Sequence, residues 1–262
     1  MTMTHPLPPI HKEPKTDGTR RILLTLSYDG TAYGGWQRQR NAMTIQQKVE
    51  EAIGRATGEN AQITGASRTD AGVHALGQCA HFDTKSSIPP DKYPFALNPF
   101  LPADIRILTG QEAMENFHAR FDAKSKTYTY RIHNAPHASA QYRNLHAHVP
   151  APLDITAMRE FLPTLLGTHD FAAFQAAGGT AKTTVRTLEK ASLLQDDALV
   201  TLRISGGGFL YNMVRIIAGT LIDIGHGKFL QDPFQEALRS GSRLSLGATA
   251  PAGGLELTEV RY

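Results

Sequence analysis

Strand and helix signals alternate irregularly along this chain, and that irregularity limits its folds more than any other feature. Arg21–Tyr28 sets Ile22, Leu24 and Leu26 against Leu23, Thr25 and Ser27, the period of a strand, and Asp29-Gly30 breaks it. Thr44, with Gln47 three positions on, opens a helix whose buried stripe is Ile45, Val49, Ala52, Ile53 and Ala56. Gly58 stands where a left-handed cap is expected. Further strands are predicted at Ile63–Gly65, Gln78–Asp83, Ile105–Thr109, Lys126–His133, Val185–Leu188, Leu199–Ile204 and Leu255–Tyr262. Helices are predicted from Asp154 to Gly167, over Phe209–Ile224, and from the Asp232-Pro233 cap to Gly241. Pro163 strains the first of these. The segment Ile88–Pro102, with five prolines, is an irregular connection around a short helix. Strict βαβα alternation is absent, so the expected class is α+β with mainly antiparallel sheet.

At 262 residues, with 41% hydrophobic side chains, the chain can build a core as one large domain or two modest ones. The expected division is a mobile tail over residues 1–20, an N-terminal lobe over 21–115 and a C-terminal lobe over 116–262. The single cysteine, Cys79, excludes an internal disulfide and fits a reducing cytoplasm. No apolar run approaches a membrane span, and no signal-type apolar core is evident. A net charge of +3 implies little by itself. Between Phe117 and Pro150, however, five Lys or Arg and five His stand against one acid, Asp122. Such a local basic surface is the usual footprint of phosphate contact, although a solvated strand-and-loop region would look the same. No phosphate-binding glycine loop or dinucleotide fingerprint is present. The pairs Cys79/His81 and His146/His148 lack further ligands at a recognised spacing, so no metal is expected.

The most unusual stretch is Gly65-Ala66-Ser67-Arg68-Thr69-Asp70-Ala71-Gly72-Val73-His74-Ala75. It is compact, polar and bounded by glycine, between two strand candidates, where catalytic groups concentrate. Arg68 and Asp70 share a face if the segment is extended. A guanidinium beside a carboxylate keeps it ionised, and an ionised carboxylate can serve as nucleophile or base. An ion pair that only pins a turn fits these residues equally well.

This stretch, continued by Gly77-Gln78, resembles the signature G-x-x-R-T-D-x-G-V-H-A…G-Q of the tRNA pseudouridine synthase A family. Five further segments resemble the same family in the same order. They are Ser27–Thr31 with Tyr33 to Gln37, Asn98 to Leu108, Phe117–Phe121 to Tyr130, Gly208 to Gly219, and Ala250 to Leu255.

The resemblance implies the pseudouridine synthase fold: two similar lobes with mainly antiparallel sheets flanked by helices, and a basic cleft between them. It implies an isomerase that converts uridine to pseudouridine in the anticodon stem-loop of tRNA, at positions 38–40. Substrate and product are isomers, so no cofactor is required. By the same resemblance Asp70 is the catalytic carboxylate, attacking ribose C1′ or removing the C2′ proton. Arg68 would help displace the base, Tyr128 would lie against the flipped uracil, and Arg215 would pair with Asp70. Phe117, His118, Ala119, Arg120 and Phe121 would contact tRNA, with a second contact near Asp170–Gly179. Lys124, Lys126 and Arg131 are further phosphate ligand candidates. The family acts as a homodimer. Residue by residue, Tyr130 points the same way as Tyr128 by alternation, and Arg215 falls off its helix's apolar stripe, on a face with Gly208, Tyr211 and Gly219. His74 is expected to order the loop. Two rival readings are a non-catalytic tRNA-binding or folding protein of the same fold, and a hydrolase using Asp70 with His74.

Overall fold

A computed structural model of the chain describes residues 17–262. Of the expected tail, residues 1–16 lie outside the described residues, and Arg20 already opens the first strand. The described residues form two compact units. One runs up to Lys124 and takes in Leu257–Tyr262; the other is Ser125–Glu256.

The first unit contains β1 (Arg20–Tyr28), α1 (Ile45–Thr57), β2 (Thr64–Gly65), β3 (His74–Thr84), α2 (Tyr93–Leu97) and β4 (Ile105–Ala113). β1 is central and antiparallel to both neighbours, with Leu24 opposite Ala80 of β3 and Gly110 of β4. β3 also carries β2, with Gly65 opposite Ala80, and the closing strand of the chain. The alternating side chains of β1 bury Ile22, Leu24 and Leu26. They share the core with Ile45, Val49, Ala52 and Ile53 of α1 and Tyr93 and Leu97 of α2. Thr44 caps α1 by accepting from the Gln47 amide, and Gly58 ends it in the left-handed region. β4 is the edge of this sheet. Beside it, the Asn98 carboxamide donates to the Ile107 carbonyl at 3.0 Å and accepts from the Ile107 amide at 2.8 Å.

The second unit contains β5 (Ser125–Asn134), β6 (Ala147–Val149), α3 (Ile155–Glu160), β7 (Gly167–Asp170), β8 (Val185–Asp196), β9 (Leu199–Gly206), α4 (Met213–Gly225) and α5 (Pro233–Ser240). Its strands run in the order β5-β9-β8-β7, all antiparallel, while β6 lies parallel to β5. The closing strand, β10 (Leu255–Arg261), begins here and returns to the first unit at Leu257. Each unit is therefore mainly antiparallel sheet with helices, the α+β class expected.

Several predicted elements differ. β3 begins at His74, four residues before Gln78, and β4 runs on to Ala113, four residues past Thr109. The helix after Asp154 stops at Glu160, and Leu162–Leu165 continues as a tighter 3-10 turn. Pro163 has no amide to donate and would crowd the preceding turn. α4 begins at Met213 and not at Phe209, because Asn212 adopts φ 60, which a right-handed helix does not admit. Gly208 and Tyr211 therefore lie outside the helix. β8 runs eight residues past Leu188, since one face of it is solvated and its polar residues hid the strand. The short strands β6 and β7 carry too few residues to show a period.

Candidate active site

The loop between β2 and β3 carries Arg68 and Asp70, and nearly every residue around them is tied down. Ala66 still follows the sheet, its amide donating to the Cys79 carbonyl at 2.7 Å. At Ser67 a side chain replaces the strand. The Gln78 carboxamide accepts from the Ser67 amide at 3.2 Å and donates to the Ser67 carbonyl at 2.7 Å. The same Nε2 lies 3.4 Å from the Tyr28 hydroxyl, which bonds the Thr69 hydroxyl at 2.8 Å. The Thr69 carbonyl accepts from the Trp36 amide at 3.0 Å. The Asp70 carbonyl closes a turn onto Val73 at 3.1 Å, with Gly72 at φ 77. At the far end, His74 Nδ1 accepts from the Gly30 amide at 3.0 Å and lies 3.1 Å from the Asp29 carboxylate. Burial pushes the Asp29 carboxyl up, but hydrogen bonds from the Thr31 hydroxyl and amide outweigh it and hold the group below its ordinary range.

Gly35 is what lets this loop sit so close. Its φ is +92, and a Cβ there would lie 2.5 Å from the Thr69 carbonyl oxygen and 2.9 Å from the Asp70 carbonyl carbon. Within this frame Arg68 is exposed and Asp70 half-buried. Thr69, between them, faces inward. A partly accessible carboxylate on a hydrogen-bonded loop, two residues from an accessible guanidinium, suits attack on, or proton removal from, a ribose.

In the second unit, Tyr128 on β5 is buried, with its ring edge-on to Phe209 at 5.0 Å between centroids. Tyr130, two residues on, is fully buried and donates its hydroxyl to the Pro251 carbonyl at 2.9 Å. Burial raises its phenol above the ordinary range, against the opposing pull of the Arg215 charge. Tyr130 is thus committed to the core. Arg215, half-buried on α4, donates through Nε to the Ala250 carbonyl and through a terminal nitrogen to Asn212 Oδ1, each at 2.8 Å. Gly219 does permit close approach, since a Cβ there would overlap the Ala248 carbonyl oxygen. The partner of that approach is the 248–250 segment. Arg131 spends its guanidinium on Glu256, at 2.9 and 3.1 Å, and Lys126 is buried, which leaves Lys124 as the exposed cation of the three phosphate candidates.

The segment Phe117–Phe121, in the first unit, is held from three sides. Arg21 pairs bidentately with Asp83 and donates to the Phe117 carbonyl at 2.7 Å. His81 Nδ1 accepts from the Ala119 amide at 3.1 Å, and the Tyr262 hydroxyl donates to the Ala119 carbonyl at 2.9 Å. Phe117 and Ala119 point inward, while Arg120 and Phe121 are exposed beside a half-buried His118. The Phe121 ring lies 4.2 Å from the His118 ring and 5.9 Å from the Arg120 guanidinium carbon. In the Asp170–Gly179 segment, Phe171 and Phe174 are core residues and Ala177 and Gly178 are exposed.

Among the described residues no group of three or more His, Cys, Asp or Glu is placed to hold a metal. Cys79 is buried, and burial pushes its thiol up to about 11. Among the described residues no helix is long and apolar enough to cross a membrane. Sequence reasoning singled out Arg68 and Asp70 but not the Tyr28, Thr69 and Gln78 side chains that frame them. Gln78 is one of several polar residues buried on β3, with His74, His81 and Thr84, so the strand offered little to single it out.

The profile of the tRNA pseudouridine synthase family matches residues 25–122 and 162–262. The tRNA pseudouridine synthase A of Acetivibrio thermocellus is 50% identical over 243 residues, covering 93% of this chain and 100% of its own length. That of Ruminiclostridium cellulolyticum is 48% identical over 244 residues, with the same coverage. The tRNA pseudouridine synthase A 2 of Clostridium tetani is 49% identical over 245 residues, covering 93% of this chain and 99% of its own length.

Proposed function

We propose, for a chain that belongs to the tRNA pseudouridine synthase family and is therefore an isomerase making pseudouridine in tRNA, that Asp70 is its catalytic carboxylate. The observation that supports this most directly is the loop itself. Asp70 is half-buried on a segment whose neighbours are fixed by hydrogen bonds at Ser67, Thr69 and Val73. Such fixing matters because a well-placed reacting group gains many orders of magnitude in effective concentration.

The target uridine has to leave its stack, which costs a few kcal/mol. Arg68, exposed beside Asp70, is suited to fill the space a displaced base leaves. The Tyr128 ring offers the flipped uracil a face, and stacking of this kind contributes about 1–3 kcal/mol per base. Arg215 is proposed to hold the carboxylate in its ionised form. His118, Arg120 and Phe121 are the members of the Phe117–Phe121 segment whose side chains are available to RNA. The proposed substrate is uridine at positions 38–40 in the anticodon stem-loop, selected by tRNA shape and backbone. The proposed working unit is a homodimer, and the proposed location is the cytoplasm.

The test uses tRNA transcript tritiated at uracil C5, with the native chain and Asp70→Ala side by side. Tritium release by the native chain only, with tRNA binding kept by both, is the expected result. Equal release by Asp70→Ala would remove Asp70 from the mechanism. Binding without release by the native chain would favour a non-catalytic tRNA-binding role.

A further inference from the structure

The first unit holds a second feature of the catalytic loop, which rests on the reading of Asp70 above. We infer that Gln78 is a positioning residue for the reaction, acting as a side-chain rung that carries the β-ladder into the loop and so fixes where Arg68 and Asp70 stand.

The ladder shows why a rung is needed there. β2 pairs with β3 through Gly65 opposite Ala80, and the Ala66 amide still reaches the Cys79 carbonyl. Beyond that the backbone of the loop leaves the sheet. At Ser67 both main-chain groups are taken by one side chain: Oε1 of Gln78 receives the amide and Nε2 supplies the carbonyl. A carboxamide offers a donor and an acceptor at that spacing whatever the pH, where a carboxyl group does so only when protonated. Gln78 is fully buried, so water does not substitute for it.

The rung also has a branch. Nε2 is within 3.4 Å of the Tyr28 hydroxyl, which is bonded to the Thr69 hydroxyl, while the Trp36 amide holds the Thr69 carbonyl. Arg68 thus lies between two tethered residues, and Asp70 follows the second of them. Gln78 touches neither the base nor the ribose in this reading. It acts through the backbone, and its loss lets the carboxylate drift by about 1 Å, the misplacement over which such reactions lose about a hundredfold in rate.

Three variants test this under single-turnover conditions, with tritium release, filter binding of tRNA and thermal unfolding measured on each. Gln78→Met keeps the volume and removes both bonds. Tyr28→Phe removes only the branch. Gln78→Glu removes the donor at neutral and alkaline pH and restores one O–H when protonated. The expected result is a rate lowered about a hundredfold for Gln78→Met and less for Tyr28→Phe. The tRNA Kd should stay within about twofold for both. The Gln78→Glu rate, relative to native, should climb as pH falls from about 8 to about 6. Folded Gln78 variants within about threefold of the native rate would overturn the inference. So would a joint loss of binding, rate and fold in all three, which would make Gln78 a residue of general stability. A native chain that binds tRNA and releases no tritium would instead sink the Asp70 reading, and this one with it.

Discussion

Replacing Gly35 by alanine tests the catalytic loop from outside it. The added Cβ starts 2.5 Å from the Thr69 carbonyl oxygen and 2.9 Å from the Asp70 carbonyl carbon. Carbon reaches its optimum against such atoms near 3.5 Å, so one side has to retreat by about 1 Å. The Gly35 side is pinned to the start of α1, since its carbonyl accepts from the Ile45 amide and the carbonyl of the next residue, Trp36, accepts from the Gln46 amide. The retreat therefore falls on Thr69–Asp70, and a displacement of about 1 Å at a reacting group costs about a hundredfold in rate. The φ of +92 adds a backbone cost of about 1–2 kcal/mol for any residue with a Cβ. Gly58→Ala is the control: it too has a left-handed φ, +75, but nothing lies within 4 Å of its added Cβ. Both variants should lose stability in urea unfolding, and only Gly35→Ala should lose single-turnover tritium release. A folded Gly35→Ala with native release would refute the claim that this contact places Asp70. A Gly58→Ala with the same loss of rate would trace the effect to stability alone.

Three further outcomes are expected. Thr44→Ala removes the hydroxyl that receives the Gln47 amide and should cost about 1 kcal/mol in urea unfolding; no loss would mean that the cap is idle. His81 is held down to about 4 by burial and by the charges of Arg21 and His118, and its Nδ1 accepts from the Ala119 amide, as the neutral ring can. The unfolded chain therefore binds the extra proton between the ordinary value near 6.5 and about 4, so stability present above that window falls as pH drops through it. His81→Gln should flatten this part of the thermal-unfolding pH profile, and an unchanged slope would exclude His81 as its source. Phe121→Ala, at a ring 74% exposed, should alter stability by less than about 0.5 kcal/mol. It should also weaken tRNA binding, by an amount worth up to about 1–3 kcal/mol if a base stacks there, and native affinity would remove Phe121 from the interface.

The elements whose chemistry is local were legible in the sequence. Thr44 and Gly58, and Asp232 and Gly241, mark their helix ends by capping and left-handed geometry that depend on neighbours in the chain. The limits of α4 were not legible, because the left-handed Asn212 interrupts an apolar spacing that runs on through Leu210. β8 was only half visible, since a strand with one solvated face shows few apolar residues. At the candidate site, the Arg68-Thr69-Asp70 run stood out as a polar island. Its frame did not, because Tyr28, Trp36 and Gln78 lie up to 42 positions away and meet the loop only through the fold. Arg131 and Lys126 show the converse: charge along the sequence suggested phosphate ligands, and burial and the Glu256 carboxylate claim them.

Asn98 has a meaning for how copies of this chain behave when crowded. An edge strand with open amides and carbonyls is a template on which a stranger's strand can grow, the first step toward aggregates and fibrils. At Ile107 both polar groups of that template are already occupied by one carboxamide. An incoming strand would have to expel it before gaining a single bond in the middle of β4. The Asn98 side chain thus works as a built-in stopper against uncontrolled growth at that point of the edge.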